Sequence, residues 1–438
     1  MNRVAFIAAR VRDSFWFVPA VAIALAIVLA ESIVVVDRAL DVRGLLIIDV
    51  GPDGARGLLA AIATSMLAAA ATMFSITIAV LALTASAYGP RLVRNFMSDR
   101  GNQLVLAVLV STALYALLVL RRVRSGDGNE FVPSAGVSLA LGLTVVCIGL
   151  LIYFIHHIST SIQISTLASQ VRVELGARML QSFPASTPND RRHDSSWPTA
   201  DGASHPVTAV RDGYVADIGV ADLVTAGRQQ RARVDVGVRP GTFVCAGDTL
   251  ATIALDAEKT TGASVDERLS AASSSTRAAV ALRNERTPYQ DVEHLARQLV
   301  DIAVRAISPG VNDPYTAVAA IDALAAAFAT TAAHADPPPV IVDDDGAPRV
   351  RLAQRSWSST VIDTVDAIRV YCAGQPIVAE RLLDSLGRLA TAAVEPSRHA
   401  DLVAAADRVV QSVASPAMQH FDLERIRHSA KWAGKDSA

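Results

Sequence analysis

The chain has 438 residues, of which 51% are hydrophobic and 19% charged, with a formal net charge of −2. That near-neutral balance supplies no field for nucleic acid, and a mean hydropathy of +0.35 is high for a protein surrounded only by water. The three cysteines, Cys147, Cys245 and Cys372, lie too far apart for a disulfide framework or a metal pattern and read as small buried apolar residues.

The apolar excess is concentrated at the N-terminal end. Residues 15–36, 58–87, 104–120 and 137–155 each have the length and apolarity of a membrane helix, for which about 20 residues suffice. The third stretch is the shortest, but Arg121 and Arg122 follow it and can snorkel to the interface. Arginines on the N-terminal side (Arg3, Arg10, Arg12, Arg91, Arg94, Arg100, Arg172, Arg178) slightly outweigh those on the opposite side (Arg38, Arg43, Arg56, Arg121, Arg122, Arg124). With an even number of spans, this bias predicts that both ends of the chain are cytoplasmic.

Two features inside the spans carry chemistry. Glu31 is a carboxylate within the first apolar stretch. It either faces a wetted bundle interior or sits paired at the outer interface, because a lone charge in hydrocarbon is costly. In the second stretch Ser65, Ala68, Thr72, Ser75, Ala79, Ala82 and Ser86 recur every three or four residues and form one small, weakly polar face. Such a face suits close helix packing, or the lining of a path for a small ion or solute in a homo-oligomer.

The fourth stretch turns polar without losing helical spacing, so residues 158–182 read as a helix leaving the membrane. His156 and His157 mark the exit; neighbours on a helix diverge by about 100° and chelate one metal poorly. Residues 183–206, rich in Pro, Ser, Asp and Arg, read as a linker. Residues 207–258 alternate apolar and polar positions with Gly and Pro punctuation, which predicts a small β domain of barrel or sandwich type. Within it RPGTFVCAGDTLATI is similar to half of a biotinyl or lipoyl carrier. A carrier needs a lysine, and none lies between Met1 and Glu258, so that activity is excluded. Residues 259–438 are mainly helical by periodicity, interrupted near 339–352 by a hairpin turning at Asp345-Gly346. The fold class expected is therefore an α-helical membrane domain at 1–157 followed by a soluble α+β region.

Three long segments carry a family resemblance: MFSITIAVLALTASAYGPRLVRNFMSDRGNQLVLAVLVSTALYALLVLR, FIHHISTSIQ and QLVDIAVRAISPGVNDPYTAVAAIDALA. Together they resemble the predicted bacterial membrane proteins grouped as domain of unknown function 2254. The resemblance runs over nearly the whole chain and implies membrane helices followed by a soluble region. It brings no established activity; the four apolar stretches themselves predict a multi-pass protein of the bacterial inner membrane, with a lipid bilayer as surroundings.

The segment RAISPGVNDPYTA, 305–317, joins two helical stretches. Pro309 ends the first helix through its effect on Ser308, Gly310 suits the positive-φ position of a type II turn, Asn312 or Asp313 can cap the second, and Pro314 fits its first position. A sharp corner explains every residue type. The same geometry beside Arg305 also offers a site for an anion or headgroup at the helix start, with Arg305, Asn312 and Asp313 as its residues. No nucleotide-binding, metal-binding or nucleophile motif is present, so no catalytic residue, metal or cofactor is assigned. The functional expectation is a homo-oligomeric membrane protein with channel or transport activity. A headgroup-binding or enzymatic module and an envelope scaffold stand as alternatives.

Overall fold

The computed structural model describes residues 17–40, 50–88, 99–125, 131–161, 164–185, 197–198, 204–256, 264–413 and 419–434. The chain divides into two compact units, Met1–Thr166 and Leu167–Ala438.

The first unit holds four helices: α1, Phe17–Leu40; α2, Pro52–Tyr88; α3, Arg100–Leu120; and α4, Ser134–Ser161. All four contain a run long and apolar enough to cross a membrane, the runs being Phe17–Asp37, Pro52–Ala82, Arg100–Leu120 and Ser134–Ile158. α3 is the central element and packs against the other three. Val105, Leu109, Tyr115, Ala116 and Val119 of α3 are fully buried against Leu59, Ile62, Met66 and Met73 of α2 and against Ala26, Ala30, Val137 and Cys147. The surface is apolar instead of charged: Leu25, Val28, Val145 and Ile152 are each more than 60% exposed. A bundle that presents large aliphatic side chains outward is soluble in lipid and would aggregate in water. α3 reaches 21 residues because Arg100–Gln103 join its first turn. It is therefore as long as α1's apolar run, and longer than sequence periodicity alone predicts.

All but the first three residues of α5, Ile164–Ser182, belong to the second unit, and its Ala168, Val171, Leu175 and Met179 form one buried stripe. Two sheets follow. The larger has the order β1 (His205–Thr208), β5 (Thr249–Leu255), β3 (Ala232–Val236), β8 (Pro348–Leu352), β7 (Val340–Val342); the smaller joins β4 (Phe243–Val244), β2 (Gly213–Ile218) and β6 (Val280–Arg283). The β region is two open sheets, not a closed barrel. The hairpin expected near 339–352 is present, with Gly346 at φ 80° in its turn, but it does not stand apart: β8 pairs in parallel with β3. Residues distant in sequence thus complete the sheet begun at 205.

Two further elements depart from the pattern reading. Val220–Gln229 forms a helix, α6, inside the stretch read as strands, and β6 lies inside a stretch read as helical. α6 and α7 (Val265–Ala279) cover the sheet; α7 starts at a capping box between Ser264 and Glu267. The remaining helices are α8, Val292–Ala306; α9, Pro314–Ala329; α10, Trp357–Arg369; α11, Pro376–Ala392; α12, Pro396–Val413; and α13, His420–Ser429. α9 and α11 form the centre of this layer, where alanines such as Ala317, Ala320 and Ala379 are buried and let the helix axes approach.

The turn Pro240-Gly241-Thr242 meets the start of α8 through one buried carboxylate. Asp291 caps α8 by accepting the amide of His294 at 3.0 Å, and it also accepts two hydrogen bonds from Arg286 at 2.7 and 2.8 Å. Gly241, at φ 84°, lies so close that a Cβ on it would fall 2.3 Å from Asp291 Oδ2.

Candidate functional site

The small-residue stripe of α2 forms because a 37-residue helix built largely of Ala and other good helix formers runs without a break from Pro52 at its first position. Its two faces differ in use. Ala55, Leu59, Ile62, Ala63, Met66, Met73 and Val80 are buried in the bundle. Ser65, Ala68, Thr72, Ser75, Ala79 and Ala82 are all exposed and turn away from it, while the side chain of Ser86 lies outside the described residues. Two hydroxyls on this outer face are internally satisfied: Thr72 donates to the carbonyl of Ala68 and Ser75 to that of Ala71, both at 3.0 Å. These two residues therefore carry no unsatisfied donor into lipid or a neighbouring helix.

Among the described residues, Glu31 and Asp37 lie toward one end of the bundle and Asp99 and His157 toward the other. At one end Glu31 pairs with Arg122, which follows α3, and lies 3.6 Å from Arg121. The carboxylate is half-exposed, so it is a paired residue near the helix ends and does not line a bundle interior. Asp37, one and a half turns on, accepts the amides of Ala135 and Gly136 at 3.1 Å each and so caps α4. Tyr115 donates to the carbonyl of the same Gly136 at 3.1 Å. A Cβ at that glycine would stand 3.1 Å from Val119, so the close approach of α3 and α4 favours glycine there.

At the other end Asp99 does two jobs. One oxygen accepts the amide of Gly101 at 2.8 Å and caps α3; the other lies 2.5 Å from Nε2 of His157 on α4. The His157 ring stacks on Tyr153, centroids 5.3 Å apart and planes within 15°. Gly101 again leaves the needed room, since a Cβ there would approach His157 Nε2 and Tyr153 Oη at 3.1 and 3.2 Å. His156 is exposed; the two histidines diverge as helical neighbours must, and it is His157 that meets Asp99. Sequence reasoning located Glu31 and His157 but not their partners. Asp99 carried a legible signal, an Asp immediately before an apolar helix. Asp37, Arg122 and Tyr153 did not.

The corner at 305–315 lies in the second unit. Arg305 is exposed near the end of α8, and the turn is closed by main-chain bonds from Asn312 to Ser308 (2.9 Å) and from Asp313 to Ala306 (2.7 Å). The left-handed position is taken by Asn312, at φ 50°, and not by Gly310; Asn tolerates that region because of its short polar side chain. Asp313 is the cap of α9, accepting the amide of Thr316 at 3.1 Å and its hydroxyl at 2.6 Å, with Pro314 in the first turn. The hydroxyl and amide of Thr316 hold the Asp313 carboxyl below its ordinary range. The helix start thus already holds a carboxylate, and an external anion would meet a like charge there. Arg305 is not drawn into this cap.

Of the cysteines, Cys147 and Cys372 are buried as expected, whereas Cys245 is exposed in the turn after β4. Burial pushes the Cys372 thiol up to about 12, so it is inert at neutral pH.

Residues 12–388 match the family described as Predicted membrane protein (DUF2254). Uncharacterized proteins of Mycobacterium tuberculosis and Mycobacterium bovis are 32% identical over 350 residues, covering 79% of this chain and 66% of theirs, so the chain spans just under two thirds of the length of these relatives. No solved structure matches the chain.

Proposed function

Because the chain belongs to the predicted membrane protein family DUF2254, we propose that it works as a homo-oligomer in the bacterial inner membrane, with α2 of each copy at the central interface. The observation that carries this reading is the outward turn of Ser65, Ala68, Thr72, Ser75, Ala79 and Ala82 on the bundle surface. Lipid is best met by large aliphatic side chains, and α1 and α4 present Leu25, Val28, Val145 and Ile152. A stripe of Ala, Ser and Thr instead lets a second helix come close, which is the main source of helix association in lipid. Along an oligomer axis the same hydroxyls line a path suited to a small ion or solute. The soluble region then lies on the cytoplasmic side and regulates the path.

The test is reconstitution in nanodiscs and liposomes. Native mass spectrometry is expected to give a multimer, and Ala68→Leu with Ala79→Leu is expected to lower its mass toward the monomer. Thr72→Leu is expected to change ion flux. A monomer in nanodiscs overturns the oligomer, and absence of flux under every gradient, pH and tension overturns the path. Reporter fusions after Gly434 read the orientation.

A further inference from the structure

Gly387 lies in the interior of α11, where glycine costs about 1 kcal/mol against alanine. Its reason is a neighbour from the C-terminal segment: a Cβ there would fall 2.8 Å from Cδ1 of Trp432 and 2.9 Å from its Nε1. The indole fills the notch left by the missing side chain and donates from Nε1 to the carbonyl of Leu383 at 3.1 Å. It also meets the His399 ring of α12 edge-on, with centroids 6.4 Å apart. Further along α11, Glu380 accepts a hydrogen bond from Arg425 of α13 at 2.6 Å. Positions 380, 383 and 387 share one face of the helix. The segment 419–434 is thus fastened along that face, and its Ile426 is fully buried.

The fastening is narrow. Within 419–434, Ile426 is the one buried residue and Trp432 is half-buried. Arg425 and Glu380 keep 45% and 16% exposure, so their pair contributes under about 1 kcal/mol. α13 has ten residues, too few to hold a helix by itself. In α11, by contrast, eight of 17 residues are buried. A segment with few buried contacts opens at lower free energy than the core beneath it. What this segment covers is a stripe bearing a notch, an accepting carbonyl and a carboxylate. Such a stripe takes an amphipathic helix through spaced anchors, and a tryptophan seated in a pocket carries much of the affinity.

We propose that the Glu380–Leu383–Gly387 face of α11 is a docking groove for a tryptophan-bearing helical segment, that the chain fills it with its own residues 419–434, and that the same segment of a second copy exchanges into it. A second copy is the occupant because it carries the sequence whose fit to the groove is already given by Trp432, Ile426 and Arg425. The proposal is independent of association through α2.

The probe is a fluorescein-labelled peptide of residues 419–438, which contains no membrane helix, so its binding reads the groove apart from any α2 interface. Fluorescence anisotropy follows it on the full chain in nanodiscs. Trp432→Ala in the chain empties the notch, and this variant is expected to bind the peptide. The natural chain is expected to bind it at least about tenfold more weakly, because a tethered segment competes at an effective concentration on the order of millimolar. Trp432→Ala in the peptide is expected to lower affinity by more than about tenfold, and Gly387→Leu added to the Trp432→Ala chain is expected to abolish binding. In the natural chain the amides of α13 are expected to exchange hydrogen at least about tenfold faster than those of α11. Equal protection of the two helices overturns the proposal, as does binding that survives Gly387→Leu or loss of the peptide's tryptophan. Failure of the Trp432→Ala chain to fold, or to bind peptide once folded, also overturns it, by making the segment an integral part of the helical layer.

Discussion

Asp37 and Gly136 are 99 positions apart and 3.1 Å apart, the carboxylate of one accepting the amide of the other. With the amide of Ala135 on its second oxygen, Asp37 fills two of the hydrogen-bonding places that every helix start leaves open, and it does so where apolar surroundings make an unfilled place costly. α1 therefore fixes the start of α4 directly, and Tyr115 of α3 fixes it from the carbonyl side. Asp37→Ala is expected to lower stability by about 1–2 kcal/mol, the range for loss of a helix cap, read as earlier thermal unfolding in detergent. Asp37→Asn, which keeps one acceptor, is expected to lose less.

Glu31 and Arg122 look like a stronger pair than they are. Both side chains retain solvent or interface access, at 44% and 31%. An exposed ion pair contributes little once screening and side-chain ordering are counted. Glu31→Gln is expected to cost under about 1 kcal/mol and to leave ion flux unchanged in the liposome assay. A large loss of flux with intact folding would instead give Glu31 a role in the path.

Gly241 tests the junction between the sheets and the helical layer. Any side chain there must adopt φ 84° and displace the Arg286–Asp291 pair, whose nearest atoms would lie 2.6 and 2.3 Å from its Cβ. Gly241→Ala is expected to destabilise by about 1–3 kcal/mol and to reduce the protection of the α8 amides from hydrogen exchange, since Asp291 also caps that helix. Gly247→Ala has the positive φ without the crowding, and is expected to cost less.

The contrast between these positions marks what the sequence contains. Helical period and apolar length identified the four membrane helices and the α2 stripe, because those signals are local and sum over many residues. The cap at Asp313 and the turn at Gly346 were legible for the same reason: each depends on neighbours in the chain. α6 was not, since ten residues flanked by strands carry too little period to outweigh their surroundings. β6 was hidden behind the Ala- and Ser-rich end of α7. The partners of Glu31, Asp37 and His157 lie 58 to 99 positions away, and no local pattern encodes such a meeting. Asn312 took the left-handed place that Gly310 was expected to fill because Asp313 must reach back to Ala306, a demand of the corner as a whole.

Asp343 links stability to pH. Burial alone would push its carboxyl up, but the hydrogen bonds from Arg349 and the amides of Ala347 and Asp345, together with the Arg349 charge, outweigh this and hold it below the ordinary range. A carboxyl whose folded value is depressed stabilises the fold above its unfolded value, and that contribution is lost as pH falls through the folded one. Asp343→Asn is therefore expected to be less stable than the natural protein near neutral pH, and the gap is expected to close below pH about 4. Chemical unfolding followed by tryptophan fluorescence at a series of pH values reads it. A gap that widened on acidification would contradict the assignment.

Arg398 provides the sharpest test of the helical layer. Its side chain is 2% exposed, yet it donates to the carbonyl of Ala332 at 3.0 Å and to Asp336 at 2.6 Å, and its guanidinium lies 5.0 Å from the Trp357 ring centre. The end of α9, the start of α10 and the start of α12 thus converge on one side chain. Asp336 also accepts the amide of Trp357 at 2.9 Å, so removing the arginine strands a carboxylate that is itself a cap. Arg398→Ala is expected to cost about 1–3 kcal/mol, as when buried carbonyl acceptors lose their donor, and to shift Trp357 emission to the red as water reaches the ring. Arg398→Lys keeps the charge but lacks the planar fork that serves two acceptors while stacking on an indole, and is expected to recover only part of the loss. Because the group is buried, both effects are expected to be insensitive to salt. A loss abolished by raised ionic strength would mean that Arg398 reaches solvent and that its hydrogen bonds do not organise the three helix ends.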